Sequence, residues 1–360
     1  MHHHHALRSK HWGRLRFIAR RLVRSVIGYL VAIICISAVI NTTMEATIRS
    51  QITEMVMGAT MSNSDLKTAE DVIAFKADVT RSLERSFGLH LPSWVRVLRR
   101  SWQVITLDLG NSRSTTTGYP ERSRSVSKII KERTPPTVIL FSASTLVSIA
   151  LGLWLGTRMA AKPGGHLDRS ATVMTMLMYG TPSWWLGTFF ILFFVYSIPV
   201  FKIGALHSVG VVPGTLHYVL DYLAYMALPF LTLVAIKVWS IAYMTRTMVI
   251  VPMQEDYTIA ARGRGIPERK ILAKHGLGTA APGVLTTAAQ AFAQSIGGDI
   301  LLERVMTRPG LGTTLFSALL MNDVNLVTAI MAMLTAIYCI TYALLDIAYG
   351  VLDPRIAYSQ

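Results

Sequence analysis

Runs of about twenty apolar residues bounded by charge constrain this chain more than any other feature. A hydrocarbon layer about 30 Å thick takes roughly 20 helical residues to cross. Inside it only helices and closed barrels satisfy their own backbone groups. Six runs fit: residues 22–40, 137–157, 171–200, 222–245, 283–302 and 327–350. The third is too long for one simple span and contains Pro182, which predicts a kinked or broken helix. A composition of 52% hydrophobic and 15% charged residues agrees, since a soluble core has no use for so much apolar surface. The expected fold is an all-α integral membrane protein of about six transmembrane helices. An extracytoplasmic helical insertion follows the first, and a polar cytoplasmic loop joins the fourth to the fifth.

Charge orients these runs. Arg8, Lys10, Arg14, Arg16, Arg20, Arg21 and Arg24 precede the first run with no acid among them, which places the N-terminus in the cytoplasm. A signal peptide has the same charge order, but its apolar part is only about 7–15 residues, so the run at 22–40 is read as a retained span. His2 to His5 resemble an appended tag and carry no argument. Arg158, Lys162 and Arg169 put the loop after the second run inside, and both termini are expected there. The domains follow: 1–21 tag and basic N-terminus, 22–40 first span, 41–135 insertion, 136–351 membrane core with a loop at 246–282, and 352–360 C-terminus. The net charge of +15 lies beside apolar runs, without a zinc-finger or aromatic-basic pattern, so no nucleic-acid partner is expected. Cys35 and Cys339 sit singly within apolar runs, where burial by packing is expected over redox or metal chemistry.

The insertion carries two amphipathic patterns. Val72, Phe75, Val79 and Leu83 recur at helical spacing before a stop at Gly88. Trp94, Leu98, Trp102 and Ile105 form a second stripe, with Arg96, Arg99 and Arg100 mostly off it. That helix suits a membrane surface or a pore mouth, and equally simple packing against the spans.

The polar interval 255–282 reads as two short helices joined by a glycine turn. Glu255 and Asp256 stand at the entrance of the first, with Asp256 as its cap, and Arg262 and Arg264 stand at its exit. Gly265 occupies the position of a left-handed stop. Pro267 suits the first turn of the second helix, which carries Arg269, Lys270 and Lys274. Ala260, Ala261 and Gly263 leave a low surface that another protein's backbone can approach, while an amphipathic helix lying on lipid headgroups is the competing reading.

Asp256-Tyr257, Ala261-Arg262, Gly265 and His275 resemble the cytoplasmic coupling motif of bacterial ABC-importer permeases, in the dipeptide, oligopeptide and nickel branch. Thr181-Pro182-Ser183-Trp184-Trp185-Leu186-Gly187, Arg308-Pro309-Gly310-Leu311-Gly312, Leu352-Asp353-Pro354-Arg355 and, more weakly, Leu107-Asp108-Leu109-Gly110 with Ser112 agree with that branch in order. Ile259 and Ala260 stand where the family usually has polar residues, and Pro282 falls one position early. The resemblance implies a permease in the bacterial inner membrane, paired with a second homologous permease, driven by two cytoplasmic ATPases and fed by an extracytoplasmic binding protein. It implies that Glu255, Asp256, Ala260, Ala261, Arg262, Gly265, Pro267 and His275 form the ATPase-coupling surface. A peptide is the expected cargo, with nickel chelates or oligosaccharides as alternatives. ATP and Mg would belong to the partner subunits, because the chain has no GxxxxGK[ST] loop; it has no GxSxG elbow or HExxH pair either, and no catalytic or metal site is expected. An intramembrane enzyme and an ion-coupled transporter are the readings from other classes.

Charges within the runs are the leads to a substrate path, since an ionised group in hydrocarbon needs water or a partner. Trp184, Lys237, Asp299 and Glu303 are the candidates. Lys237 also suits a snorkelling role, Asp299 interfacial solvation, and Asp346 a structural one. His207 and His217, ten apart in a loop, make a weak metal pattern.

Overall fold

The structure, a computed structural model, describes residues 2–63, 68–115 and 122–352, with side chains from 19 to 345. Helices account for nearly all regular structure among these residues, and one isolated bridge joins Asn111 to Ser125. In order they are α1 (His2–Ser62), α2 (Ala69–Phe87), α3 (Ser93–Ile105), α4 (Val126–Ala161), α5 (His166–Tyr179), α6 (Ser183–Ile191), α7 (Leu216–Met253), α8 (Asp256–Gly263), α9 (Glu268–Ile271), α10 (Gly278–Ser295), α11 (Ile300–Val305), α12 (Leu311–Leu320) and α13 (Val324–Leu352). Wider π-helical turns, Leu192–Ser197 and Leu272–Leu277, extend α6 and join α9 to α10.

Four described helices are long and apolar enough to cross a membrane: part of α1 (Ala19–Ser62), α4, α7 and α13 (Val324–Leu345). The α5–α6 pair, bent by 99° around Pro182, makes up to five. The fifth expected span, 283–302, is not one helix. It starts earlier, ends at Ser295 and resumes at Ile300, because Gly297 and Gly298 interrupt it and Gly298 takes φ +74°.

One compact unit is built from the chain up to Glu132 with Leu315–Ala343. Here α1 runs well past the apolar run to Ser62. Its polar continuation does not break the helix, since Thr42 and Thr43 return their hydroxyls to the carbonyls of Ala38 (3.1 Å) and Val39 (2.8 Å). On α2 the residues Val72, Phe75, Val79 and Leu83 are half-buried and Gly88 closes the helix at φ +74°. A capping box of Thr68 and Asp71 opens it. α3 is fastened to α1 by Arg96, which donates to Asn41 (3.0 Å) and Ser93 (3.0 Å) and pairs with Glu45. Cys35 is exposed rather than packed, among the outward Val31, Ile34 and Val39; on a helix face that meets lipid, hydrocarbon takes the place of protein neighbours.

The segment after α3 is held by a single carboxylate. Asp323 accepts from the Ser112 hydroxyl (2.6 Å), the Arg113 and Ser114 amides (2.7 and 3.0 Å) and the Ser114 hydroxyl (3.0 Å), and from Leu326 at the start of α13 (3.2 Å).

The other unit comprises Arg133–Thr314 and Leu344–Tyr349. α4 begins at Val126, upstream of Pro135-Pro136, because the buried Val126, Ile129 and Ile130 anchor the added turns. It crosses α7 at Gly152 and Gly156: a Cβ on Gly152 would stand 2.7 Å from Ile241, and one on Gly156 2.7 Å from Thr245. This G-x-x-x-G pair permits the close approach that packs membrane helices where lipid removes the hydrophobic drive to associate. Asp168 on α5 pairs with Arg246 on α7 and accepts from the Gly164 amide (2.8 Å), which closes the loop between α4 and α5. Leu140, Phe141, Ile191, Met226, Leu228, Leu233, Leu302 and Met306 form the main apolar cluster.

Burial raises the Asp323 carboxyl, but the hydrogen bonds from Ser112, Ser114, Leu326 and Arg113 outweigh it and hold the group below its usual range. A depressed folded value means a contribution that is present above the unfolded value near 3.9 and lost as pH falls through the folded one. Asp323→Ala leaves those donors unmatched, a loss on the order of 1–3 kcal/mol. Hydrogen exchange in mild detergent at neutral pH should show faster exchange at Arg113, Ser114 and Leu326 in the variant, and the difference should persist down to the ordinary carboxylate range and shrink only on acidification below it. Equal protection at neutral pH would show that the carboxylate does not hold the segment.

Candidate functional site

α8 starts at Asp256, with Glu255 in extended conformation as its cap position and no side chain capping it. Asp256 is therefore not the cap; it is the first helical residue, and as an acid in the first turn it complements the dipole. The Thr258 hydroxyl, directed to the Pro252 carbonyl (2.9 Å), ties the helix start to the end of α7. At the other end Gly265 takes φ +73°, its amide reaches Arg262 O (2.9 Å) and the Ile266 amide reaches Ala261 O (3.3 Å). That pair of bonds is a Schellman closure.

The three small residues divide between two faces. Ala261 is buried with Ala160, Val249, Met253, Ile271 and Ala280. Ala260 and Gly263 are exposed beside Asp256 and Ile259, and nothing lies within 4 Å of a Cβ built on Gly263. A flat outward ridge remains. Arg262 does not belong to it: its guanidinium donates to Glu268 (2.8 Å) and to the Met253 carbonyl (3.2 Å), locking the loop to both neighbouring helices. That bond holds the Glu268 carboxyl below, and the Arg262 guanidinium above, the ordinary value. Pro267 is the residue before α9 rather than within its first turn. Half-buried His275 tilts against Tyr257, 5.6 Å between ring centres. The expected second short helix is instead the start of one helical run, 268–295, that passes through the π-turns and keeps Pro282 inside it.

Near the far end of this run is a cavity of about 310 Å³, lined by Ser183, Lys237, Ser240, Gln294, Ser295 and Asp299 together with Phe141 and Leu233. Two helix breaks meet there. α6 opens at Ser183 after Pro182, and α11 opens after Asp299, whose carboxylate accepts from the Leu301 and Leu302 amides (3.1 Å each) and from the Ser183 hydroxyl. The Lys237 ammonium donates to the Thr145 hydroxyl (2.7 Å) and lies 5.9 Å from the centre of the Phe141 ring. A carboxylate and an ammonium thus share one cavity without forming an ion pair. Discontinuous helices around a polar cavity are the form that binding sites take within membranes.

The other candidates lie elsewhere. Trp184 is exposed on α6 and does not line this cavity. Glu303 is 1% exposed and also absent from the lining; it accepts from the Thr137 hydroxyl (2.5 Å) and the Gly312 and Thr313 amides (2.7 and 3.2 Å). Its carboxylate serves the first turn of α12, whose free amides need an acceptor. Beside it Arg308 is buried and donates to the Tyr222 hydroxyl (2.9 Å). His207 stacks on Tyr218, 3.7 Å between ring centres, near Asp221, an aromatic rather than a ligand environment. The side chain of Asp346 and residues 353–355 lie outside the described residues.

Comparison with known proteins identifies what shares this pattern. The family described as binding-protein-dependent transport system inner membrane component matches residues 148–358. The chain is 30% identical over 271 residues to a putative peptide transport system permease protein of Brucella abortus, covering 75% of this chain and 82% of that one. It is 25% identical over 283 residues to the oligopeptide transport system permease protein AppB of Bacillus subtilis, covering 79% and 86%. To a probable peptide ABC transporter permease protein of Sinorhizobium fredii it is 28% identical over 279 residues, covering 77% and 84%.

Proposed function

Because this chain belongs to the family of binding-protein-dependent transport inner membrane components, we propose that it is the permease subunit of an ATP-driven importer whose cargo is a peptide. The observation that carries the cargo is the likeness, over three quarters of the chain, to proteins named as peptide permeases. The cavity between the helix breaks supports it: one ammonium and one carboxylate suit a dipolar cargo better than a neutral sugar. In this reading a second homologous permease completes the path, a binding protein delivers the cargo, and two cytoplasmic ATPases hold the ATP and Mg that this chain has no motif to bind.

Coupling follows from the loop. The outward ridge of Asp256, Ala260 and Gly263 is the surface on which an ATPase docks, with Glu255 and Tyr257 beside it. Displacement of α8 passes through the Schellman turn and the Arg262–Glu268 bond into the run 268–295. That run is roughly 40 Å long at 1.5 Å per residue, and its far end carries Ala291, Gln294 and Ser295 in the cavity wall. ATP-driven closure below thereby changes the side to which the cavity opens, a rigid-body form of alternating access.

Three measurements test this. In the first, Gly265→Val is compared with Gly265→Asn. A Cβ at Gly265 meets nothing within 4 Å, so any defect comes from the left-handed backbone, which valine resists and asparagine tolerates. The valine variant should insert and assemble, yet lose at least about tenfold in uptake, a change worth about 1.4 kcal/mol, while asparagine stays near wild type. Normal uptake with valine would remove the turn from the coupling path.

The second concerns the cavity charges. Asp299→Asn and Lys237→Met should each lower uptake of a zwitterionic peptide in reconstituted vesicles by about fivefold or more while ATP hydrolysis by the assembled complex persists. Unchanged uptake by both variants would take these charges out of the path.

The third fixes orientation, with α2 outside and the loop 246–282 and both termini inside. With both native cysteines replaced by serine, single cysteines at Lys76 and Thr279 should label oppositely in intact spheroplasts treated with an impermeant thiol reagent, Lys76→Cys reacting and Thr279→Cys protected. The reverse pattern would invert the topology.

A further inference from the structure

The outward face of α3 carries Trp94, Leu98, Trp102 and Ile105, all exposed. Its other side fixes where this face lies. Arg96 bonds Asn41 and Glu45, just beyond the apolar run of α1, whereas Val104 packs with Ile33 and Ala332 well inside it. α3 thus runs antiparallel to α1, and its end reaches roughly 12 Å deeper than its start, at 1.5 Å per residue of α1. Trp102 and Ile105 then stand at the depth of acyl chains, and Arg99 and Arg100 stand one turn nearer the surface, where lipid phosphates lie. Tryptophan at that boundary and arginine reaching toward headgroups are the ordinary preferences of those side chains.

Beside this face opens a cavity of about 230 Å³ lined by Arg85, His90, Arg96, Arg99, Arg100 and Arg113, with no carboxylate in its wall. Two of the arginines are already engaged. Arg96 holds α1, and Arg113 donates to the Ser86 carbonyl (2.6 Å) and lies 3.8 Å over the Phe87 ring. Arg100, half-buried between them, has no hydrogen-bond or carboxylate partner among the described residues. Guanidinium forks gathered on one pocket without a carboxylate match a phosphate oxygen pair.

We infer that this pocket and the adjoining stripe form a binding site for an anionic phospholipid, with the headgroup phosphate seated by Arg99 and Arg100 and the acyl chains lying along Trp94, Leu98, Trp102 and Ile105. The site would anchor α3, and through Arg96 the outer half of α1, to the bilayer. Both sides of the match are on one helix: cationic forks at phosphate depth and an uncovered apolar face directly below. A partner protein on the same face would need its own carboxylates placed at that depth.

Native mass spectrometry of the full-length chain, released from mild detergent with whatever subunits accompany it, tests this against phosphatidylglycerol and phosphatidylcholine. Wild type should retain the anionic lipid at least about fivefold over the zwitterionic one. Arg99→Gln, at an exposed position that does not threaten folding, and Arg100→Gln should each remove most of that preference, and Arg100→Lys should recover part of it. Trp102→Ala should weaken both lipids and leave their ratio unchanged. Equal retention of the two lipids by wild type, or an unchanged ratio in both glutamine variants, overturns the site. Displacement of the bound lipid by millimolar inorganic phosphate would assign the pocket to a free anion and overturn the lipid reading. Release of another subunit by Trp102→Ala, with no change in lipid binding, would assign the stripe to a protein interface and overturn it equally.

Discussion

Asp299 answers the hardest requirement that an apolar layer sets on this fold: backbone groups freed where a helix breaks need a partner, because no lipid atom supplies one. One carboxylate oxygen caps the second and third amides of α11, those of Leu301 and Leu302, and the other accepts from Ser183, where α6 begins after its own break. Two discontinuities far apart in sequence are thereby fastened at one point. Glu303 meets the same requirement one turn later, for the amides of Gly312 and Thr313. The difference between the two acids is access. Glu303 is sealed, while Asp299 also borders a cavity.

In the coupling proposed above, that arrangement lets a loop act on a cavity at some distance. The run 268–295 has no break, since Pro282 and the π-turns are absorbed within it, and it ends just before the Gly297-Gly298 interruption. Rigidity up to that point and freedom at it are what a lever needs. At its other end the loop is closed by groups that point inward: Ala261 in an apolar cluster, Arg262 on Glu268 and Met253, Thr258 on Pro252. The outward ridge of small residues is then free of structural duty and available for contact.

Much of this was legible in the sequence because it depends on local rules. Apolar run length marked the membrane helices, Pro182 marked a break, Gly265 and Gly88 marked left-handed stops, and the stripe at Val72, Phe75, Val79 and Leu83 marked the inner face of α2. What escaped depends on partners distant in sequence. Nothing near Glu303 announces that Thr137 and the first turn of α12 will claim it, and Asp323 looks like a loop acid until Ser112 and Ser114 arrive. The length of α1 was hidden by its polarity, although no glycine or proline interrupts it between Gly28 and Gly58. Gly152 and Gly156 did carry a readable signal, the G-x-x-x-G spacing, for the close crossing of α4 and α7.

The two charges at the cavity are kept apart by the groups that hold them. A direct bond between Lys237 and Asp299 would satisfy both groups and fill the space between them. Instead each is held by a hydroxyl, Lys237 by Thr145 and Asp299 by Ser183, and Asp299 is further committed to the cap of α11. A neutral hydroxyl solvates a charge without neutralising it, so both retain their capacity to attract an opposite charge in a medium where that attraction is strong. The cap adds a constraint of its own: Asp299 cannot swing toward a ligand without releasing the amides of Leu301 and Leu302. On the proposed path a cationic group of the cargo therefore meets the carboxylate where it stands, at the junction of the two broken helices, and any shift of α11 changes its distance from Lys237.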